Sequence, residues 1–489
     1  MRNSTLGKLR AYWLGCGVLT LSSFVKDFQY SKAHQTRVNS LAVGLQQAGA
    51  FAACFVVWPV ADKLGRKKTL MISSAIFCIG AIIETVNTHS MAAFYVGRVV
   101  AGIGLGAASV VVPMFSSEMA PKELRGQIGS FFQLFYTFGM MSLPFPGSRL
   151  TVSGIFTSYW VDYAVLKCLP ATAQQWQMPI GLQLVPAGLL GLGMFTLKES
   201  TRWLTKKGRH NEAWESLKWI RADESQATID EMEEIRMGVE MEQRATEGLR
   251  PKELLERSNL TRLLTSAAVF TAQQATGATA FAYFGPQYFK LLVGGGSKDL
   301  LLTAIFGAIK VAACLFFVLF LSDRLNRRTV LIAGAAFMAA CQITTAAVVK
   351  NKPAPGEGKV TSSGIATVAL IYLFVVAYNL SWGPLPWPYV SEIFPTRIRE
   401  IGIAIGVSSQ WLFNFIFSLT TPYMITNLGW GTFLLWGLFD AVIAVLTFFF
   451  LKETRGLSLE EISHNDFGRI VDVKGVEEVE DLNVDGGRK

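Results

Sequence analysis

Apolar residues in this chain run in long uncharged stretches, and the charges gather between them. Residues 69–83, 99–117, 269–289 and 402–426 carry no Asp, Glu, Lys or Arg. A helix needs about 20 mostly apolar residues to cross a hydrocarbon layer about 30 Å thick. That criterion predicts twelve spans, at 11–25, 39–60, 69–87, 91–115, 126–143, 178–197, 263–291, 300–321, 329–349, 363–390, 400–426 and 430–451. The predicted fold class is therefore an all-α membrane protein. Basic loops at 62–68, 121–126, 198–209, 323–328, 395–400 and 452–456 each follow an even-numbered span, so all fall on one face. The excess of Lys and Arg on cytoplasmic loops makes that face cytoplasmic and puts both termini there.

Composition supports the same picture. Of 489 residues, 51% are hydrophobic and 17% charged, against roughly a quarter charged in soluble domains. The net charge of +9 is spent on the loops, so it signals orientation rather than nucleic-acid binding. Cys16, Cys54, Cys78, Cys314 and Cys341 lie in apolar runs and read as small buried hydrophobes. No nucleophile–base pair or metal cluster stands out, and the four histidines are scattered. Enzymatic activity and a cofactor are not expected. Residues 1–10 are basic, but the run after them lacks a small-residue cleavage site, so no cleavable signal peptide is read.

The one substantial polar segment, 199–261, divides the spans into six and six. The expected organisation is a first half at 1–198, a helical cytoplasmic linker at 199–261, a second half at 262–453 and a tail at 454–489. The halves repeat. SEMAPKELR (117–125) matches SEIFPTRIR (391–399), DKLGRK (62–67) matches DRLNRR (323–328), and KESTR (198–202) matches KETR (452–455). Glu392 follows Glu118 by 274 positions, Asp323 follows Asp62 by 261, and Glu453 follows Glu199 by 254. Parallel repeats of this kind place a solute site between the halves near mid-membrane and alternate its exposure by rocking.

These motifs, in this order from about residue 38 to 462, resemble the sugar porter family of the major facilitator superfamily, in particular its fungal sugar and quinate permeases. The resemblance implies the twelve-helix major facilitator fold, a monomer in the lipid bilayer, residence in the plasma membrane, and transport of a small sugar or polyol acid, with protons as a second cargo by family default. It also implies roles for particular residues. The charged motif residues Asp62, Arg66, Glu118, Arg125, Glu199, Arg202, Asp323, Arg327, Glu392, Arg399, Glu453 and Arg455 correspond to the family's cytoplasmic salt-bridge network. A network crossing between halves would bias which side is open, although one exposed pair is worth only about 0–1 kcal/mol. The family's substrate positions fall on Gln133, Gln273, Gln274, Thr279, Trp387 and Asn414. Amides donate and accept, which suits hydroxyl-rich ligands. Pro384, Pro386 and Pro388 are expected to break the tenth helix beside a cavity.

Arg98 opens RVVAGIGLG (98–106), whose small residues read as close helix packing rather than a dinucleotide loop. An intramembrane Arg is functional by default. In proton-coupled relatives it faces an Asp of the first span, but here that stretch reads Leu-Gly-Cys at 14–16. Glu84 is the nearest other acid. At a helix end, it is expected to be satisfied by solvent, so transport without proton coupling is anticipated.

Three further departures stand out. Residues 142–158, with two prolines and Arg149, interrupt the fifth span; a retained intron or an error in gene prediction is favoured over a genuine external loop. Thr279 replaces the family's Asn. Asn326 replaces the Gly of the repeated loop, in a left-handed conformation that Asn tolerates. A secondary transporter is the leading expectation. A solute sensor and an inactive or mis-spliced transporter product remain as alternatives.

Overall fold

The computed structural model describes residues 18–86, 89–119, 155–248, 251–293, 297–321, 326–353, 361–395 and 397–453. These are helical throughout, with no strand among them. Among the described residues, nine helices or helix pairs are long and apolar enough to cross a membrane. Outward faces carry Phe55, Leu192, Phe195, Phe449 and Phe450, all well exposed. Such surfaces suit a lipid surround rather than water.

After α1 (Ser22–Phe28), the first half builds on α2 (Gln35–Leu64), α3 (Arg66–Thr85) and α4 (Met91–Met119). Then come α5 (Ile155–Cys168), α6 (Ala173–Leu182) and α7 (Leu184–Phe195). The glycines of 98–106 do what the sequence predicted. Gly102 and Gly106 lie against the backbone carbonyls of Gln46 and Ala50 on α2, and a Cβ on Gly104 would sit 2.6 Å from the Phe77 nitrogen on α3. Backbones packed this closely admit no larger residue.

The linker forms three helices, α8 (Thr201–Lys206), α9 (His210–Arg221) and α10 (Gln226–Thr246). The second half follows with α11 (Arg257–Ala275), α12 (Ala278–Val293), α13 (Ser297–Phe316) and α14 (Arg327–Asn351). It ends with α15 (Ser362–Leu380), α16 (Pro386–Glu392), α17 (Arg399–Leu428) and α18 (Gly431–Phe450). Helices α11 and α12 together make the seventh predicted span, and α15 and α16 the tenth.

The halves meet along α2 and α17. Ser40 Oγ donates to the Leu419 carbonyl at 2.6 Å, the Thr36 and Thr426 hydroxyls are 3.3 Å apart, and Gly44 makes room for the Leu419 side chain. These contacts lie toward the end remote from the basic loops. A second seam joins α5 to the other half, where the Tyr159 hydroxyl donates to the Ala282 carbonyl at 2.5 Å. The first predicted span lies largely outside the described residues, as does most of 142–158. The last four residues of that stretch already belong to α5.

Candidate functional site

Two helices break at the same place. On the seventh span, α11 ends just after Gln273 and Gln274, and Gly277 takes φ +79°. Only glycine adopts that conformation cheaply, and the Trp436 ring lies where a Cβ would project. On the tenth, α15 stops at Leu380, before the first proline, and Ser381 turns the chain at φ −135°, ψ −88°. The helix resumes with Pro386 in its first turn, where a missing N–H costs nothing. Breaking a helix orphans carbonyls. Gln273 meets two of them, its Nε2 donating to the Trp382 and Gly383 carbonyls at 2.9 and 3.1 Å. Its Oε1 accepts from Gln410 Nε2 on α17 at 2.8 Å. Gln273 thus ties three spans together. Gln274, also buried, presents an Oε1 with no hydrogen-bond partner among the described residues.

One turn above, the Tyr283 hydroxyl joins the halves. It accepts from Gln47 Nε2 on α2 at 2.8 Å and from Asn414 Nδ2 on α17 at 3.3 Å, while Ser418 Oγ donates to Asn414 Oδ1. Gln47, Tyr283 and Gln410 were not singled out from the sequence. The Gln46–Gln47 pair in an apolar span, mirroring Gln273–Gln274, was the available signal. Trp387 stands edge-on to Phe270 with ring centroids 5.0 Å apart. Thr279 is half-buried just past the break. Gln133 lies outside the described residues. The structure therefore brings Gln273, Gln274 and Asn414 into one polar cluster.

Arg98 is matched in a way the sequence did not suggest. Glu84 is 2% exposed, and its Oε2 lies 3.3 Å from Arg98 Nε. Arg98 Nη1 also donates to Gln46 Oε1 at 3.0 Å, and the guanidinium lies over the Phe94 ring. The expectation that solvent satisfies Glu84 is corrected. Its position near a helix end does not expose it, because α4 covers it so closely that Gly97 has room for no Cβ beside the Glu84 side chain.

The profile of the family described as "Sugar (and other) transporter" matches residues 13–142 and 148–465. The chain belongs to that family. The match breaks only between 142 and 148, inside the stretch that departs from the pattern. The chain is 34% identical over 459 residues to a probable quinate permease of Aspergillus flavus, covering 91% of this chain and 82% of the relative. It is 33% identical over 458 residues to the quinate permease of Emericella nidulans, covering 91% and 83%. Among solved structures, a partially occluded inward-open conformation of the xylose transporter XylE from E. coli superposes with a TM-score of 0.73 at 22% identity, over 93% of this chain and 97% of XylE. The twelve-helix major facilitator fold in two six-helix repeats is thus the fold of this transporter, a multi-pass membrane protein whose relatives are permeases rather than enzymes.

At the basic end, the chain repeats one construction twice. In the first half, Arg66 forks onto Glu118 at 3.0–3.2 Å, and Glu199 accepts from the backbone N–H groups of Arg66 and Lys67. In the second, Arg327 pairs with Glu392, and Glu453 accepts from the N–H groups of Arg327 and Arg328, each at 3.0 Å. In both, a carboxylate just past the end of a later helix caps the start of an earlier one, where orphan N–H groups and the helix dipole favour negative charge. Gly65 (φ +93°) brings the chain against the Glu199 carboxylate. Asn326, in the equivalent place, is extended at φ −66°, ψ 125°. The left-handed conformation expected of it is not used.

Further ion pairs involve the linker. Lys207 binds Asp62 at 2.8 Å, Arg202 binds Glu242 at 2.9 Å, and Arg397 forks onto Glu253, which holds the guanidinium above its usual pKa. Arg399 Nε donates to the Phe394 carbonyl at 3.3 Å. Sequence repeats reveal which residue types recur, not which partners they choose. Arg125, Asp323 and Arg455 lie outside the described residues.

Proposed function

We propose that this sugar transporter carries a small polyhydroxylated solute, a hexose, a pentose or a sugar-derived acid such as quinate or a uronate, by alternating access through a site between its halves. The observation that carries the reading is the cluster of Gln47, Gln273, Gln274, Tyr283 and Asn414, drawn from both halves and placed beside two broken helices. Amide and phenol groups match ring hydroxyls. Backbone breaks within a membrane are tolerated where protein or a cavity satisfies them. Gln133, Thr279 and Trp387 complete the proposed site. The quinate and xylose named for the relatives frame the solute class.

The halves are closed on each other at the end remote from the basic loops. In the proposed cycle, this contact opens as the basic end closes, with the charged motif residues weighting the exchange. A bias of a few kcal/mol is enough to shift such an equilibrium. Proton coupling, placed in doubt by the missing first-span acid, finds a route through Glu84, a carboxylate that can take up and release a proton as Arg98 leaves and rejoins it. The protein is proposed to work as a monomer in the plasma membrane with both termini cytoplasmic.

The test is uptake of labelled glucose, xylose, galacturonate and quinate by transporter-null yeast expressing the full chain, with and without a protonophore. Saturable uptake of at least one supports the reading. Surface-expressed protein that carries none of the four would overturn it.

A further inference from the structure

The twelfth span carries a carboxyl group at its centre. Asp440 is the tenth of the 20 residues of α18 (Gly431–Phe450). Either end is about 14 Å away at 1.5 Å per residue, so this short side chain cannot reach a membrane surface. Asp440 is 0% exposed, and neither of its carboxyl oxygens has a hydrogen-bond partner among the described residues. Gln342 on α14 is equally buried, and its Oε1 and Nε2 are without partners in the same sense.

These two side chains converge. A Cβ on Gly437 would lie 3.1 Å from Gln342 Cβ, so α14 and α18 touch there. Asp440 is one turn beyond Gly437, on the same face of α18. Helix α14 starts at the basic loops and α18 returns to them, and helix side chains lean toward their own N-terminus. Asp440 therefore leans back toward the level of Gly437, and Gln342 leans toward the level of Asp440. Cys341 is the titratable group beside Asp440 on α14. The other charges of the packed helices belong to their ends. Arg257 and Arg262 lie in the first two turns of α11, Arg399 and Glu400 open α17, and Arg327, Arg328 and Lys350 flank α14. On the other flank Trp436, one turn from Asp440, covers Gly277 at the seventh-span break and donates from Nε1 to the Tyr288 hydroxyl on α12 at 2.9 Å.

We propose that Asp440 and Gln342 form a proton-binding site in the second half, separate from the Glu84–Arg98 pair, and that transport requires the proton to stay there. The ligand follows from the donor set. A bare carboxylate in a low-dielectric interior is costly unless it is paired or neutralised, and the cations of the packed helices stand at the helix ends. One carboxylate and one amide offer too few oxygens for a hard metal ion, which takes about six. A proton needs only one. Bound to one Oδ, it lets Asp440 donate to Gln342 Oε1 while the other Oδ accepts from Gln342 Nε2, so each buried polar atom of the pair gains a partner. Losing it would place a charge one turn from Trp436, whose ring covers the break next to Gln274. Glu84 has Arg98 to leave and rejoin, so its proton moves; the proton on Asp440 is retained.

The first readout is the infrared difference between wild type and Asp440→Asn, full-length and in proteoliposomes at pH 7. A protonated-carboxyl C=O band that vanishes in the variant is expected. Loss of ionised-carboxylate bands instead overturns the proposal. Gln342→Leu leaves Asp440 in place and should shift the same band; it serves alone if the Asn variant fails to insert, and an unshifted band overturns the pairing. The second readout, which rests on the transporter reading, is exchange of labelled for unlabelled quinate or xylose. Wild-type exchange should fall at alkaline pH by about tenfold per unit, the slope of one titrating group. Asp440→Asn, which mimics the protonated form, should keep exchanging where the wild type has stopped, and its uptake should stay protonophore-sensitive. Identical alkaline profiles overturn the requirement for the proton. Loss of protonophore sensitivity in the variant shows that the proton moves and overturns its retention. The carboxyl band in a protein that carries no solute counts against the transporter reading and supports the proton site.

Discussion

Glu84 and Arg98 face each other across α3 and α4 with 3.3 Å between Oε2 and Nε, both side chains at least 96% buried. Along the chain, Glu84 is one residue from the end of α3, while Arg98 lies seven residues inside α4. Helix side chains lean toward their own N-terminus. Arg98 therefore reaches back along α4 toward the turn that α3 enters, and the pair closes there.

Glu84→Gln should uncouple transport from the proton gradient. Wild-type uptake is expected to be faster at pH 5 than at pH 7 and to fall when a protonophore is added. The variant should lose both responses while still exchanging labelled for unlabelled solute. If its protonophore sensitivity matches the wild type, Glu84 is not the coupling group.

Gln273 and Gln274 should fail differently on truncation to Ala. Removing Gln273 orphans the Trp382 and Gly383 carbonyls, at a cost of roughly 1–3 kcal/mol each if buried. The detergent-solubilised protein should melt earlier. Removing Gln274, whose Oε1 has no partner among the described residues, should leave melting nearly unchanged. It should raise the apparent uptake constant about 2–13-fold, the value of one net hydrogen bond. Equal melting losses in the two variants would contradict this division.

Tyr283→Phe deletes a hydroxyl shared by Gln47 and Asn414, and with it a link between halves. The variant should spend more time open at the end remote from the basic loops. A cysteine placed at Ser40 should then react faster with a membrane-impermeant thiol reagent than in the Tyr283 background. No change in labelling rate would show that the phenol does not hold the halves together.

The paired caps should be energetically equivalent. Glu199→Ala and Glu453→Ala each remove a carboxylate from two helix-start N–H groups, with an expected loss of ~1–2 kcal/mol. Comparable shifts in thermal unfolding are expected, and a large loss at only one site would break the equivalence. Glu118→Gln and Glu392→Gln should slow transport more than they weaken solute binding, because they act on the exchange between states. Proportional losses of binding and transport would remove them from that role.

The sequence by itself determined the spans, their division into two repeats and the family, because long apolar runs and recurring charged motifs are properties of the chain read in one dimension. It also located the helix break around Pro384–Pro388 and the glycine packing of 98–106, since proline chemistry and the absence of a Cβ act locally. Partner choice was decided only in three dimensions. Nothing in the spacing of Glu84 and Arg98 announces that a helix end will be covered. Nor does it reveal that Arg66 pairs with Glu118 and Arg327 with Glu392, or that one amide of an adjacent pair bonds backbone carbonyls while the other's oxygen has no partner among the described residues. Side-chain pairing depends on which helix faces meet and at what depth, and those are set by the packing of all the spans together.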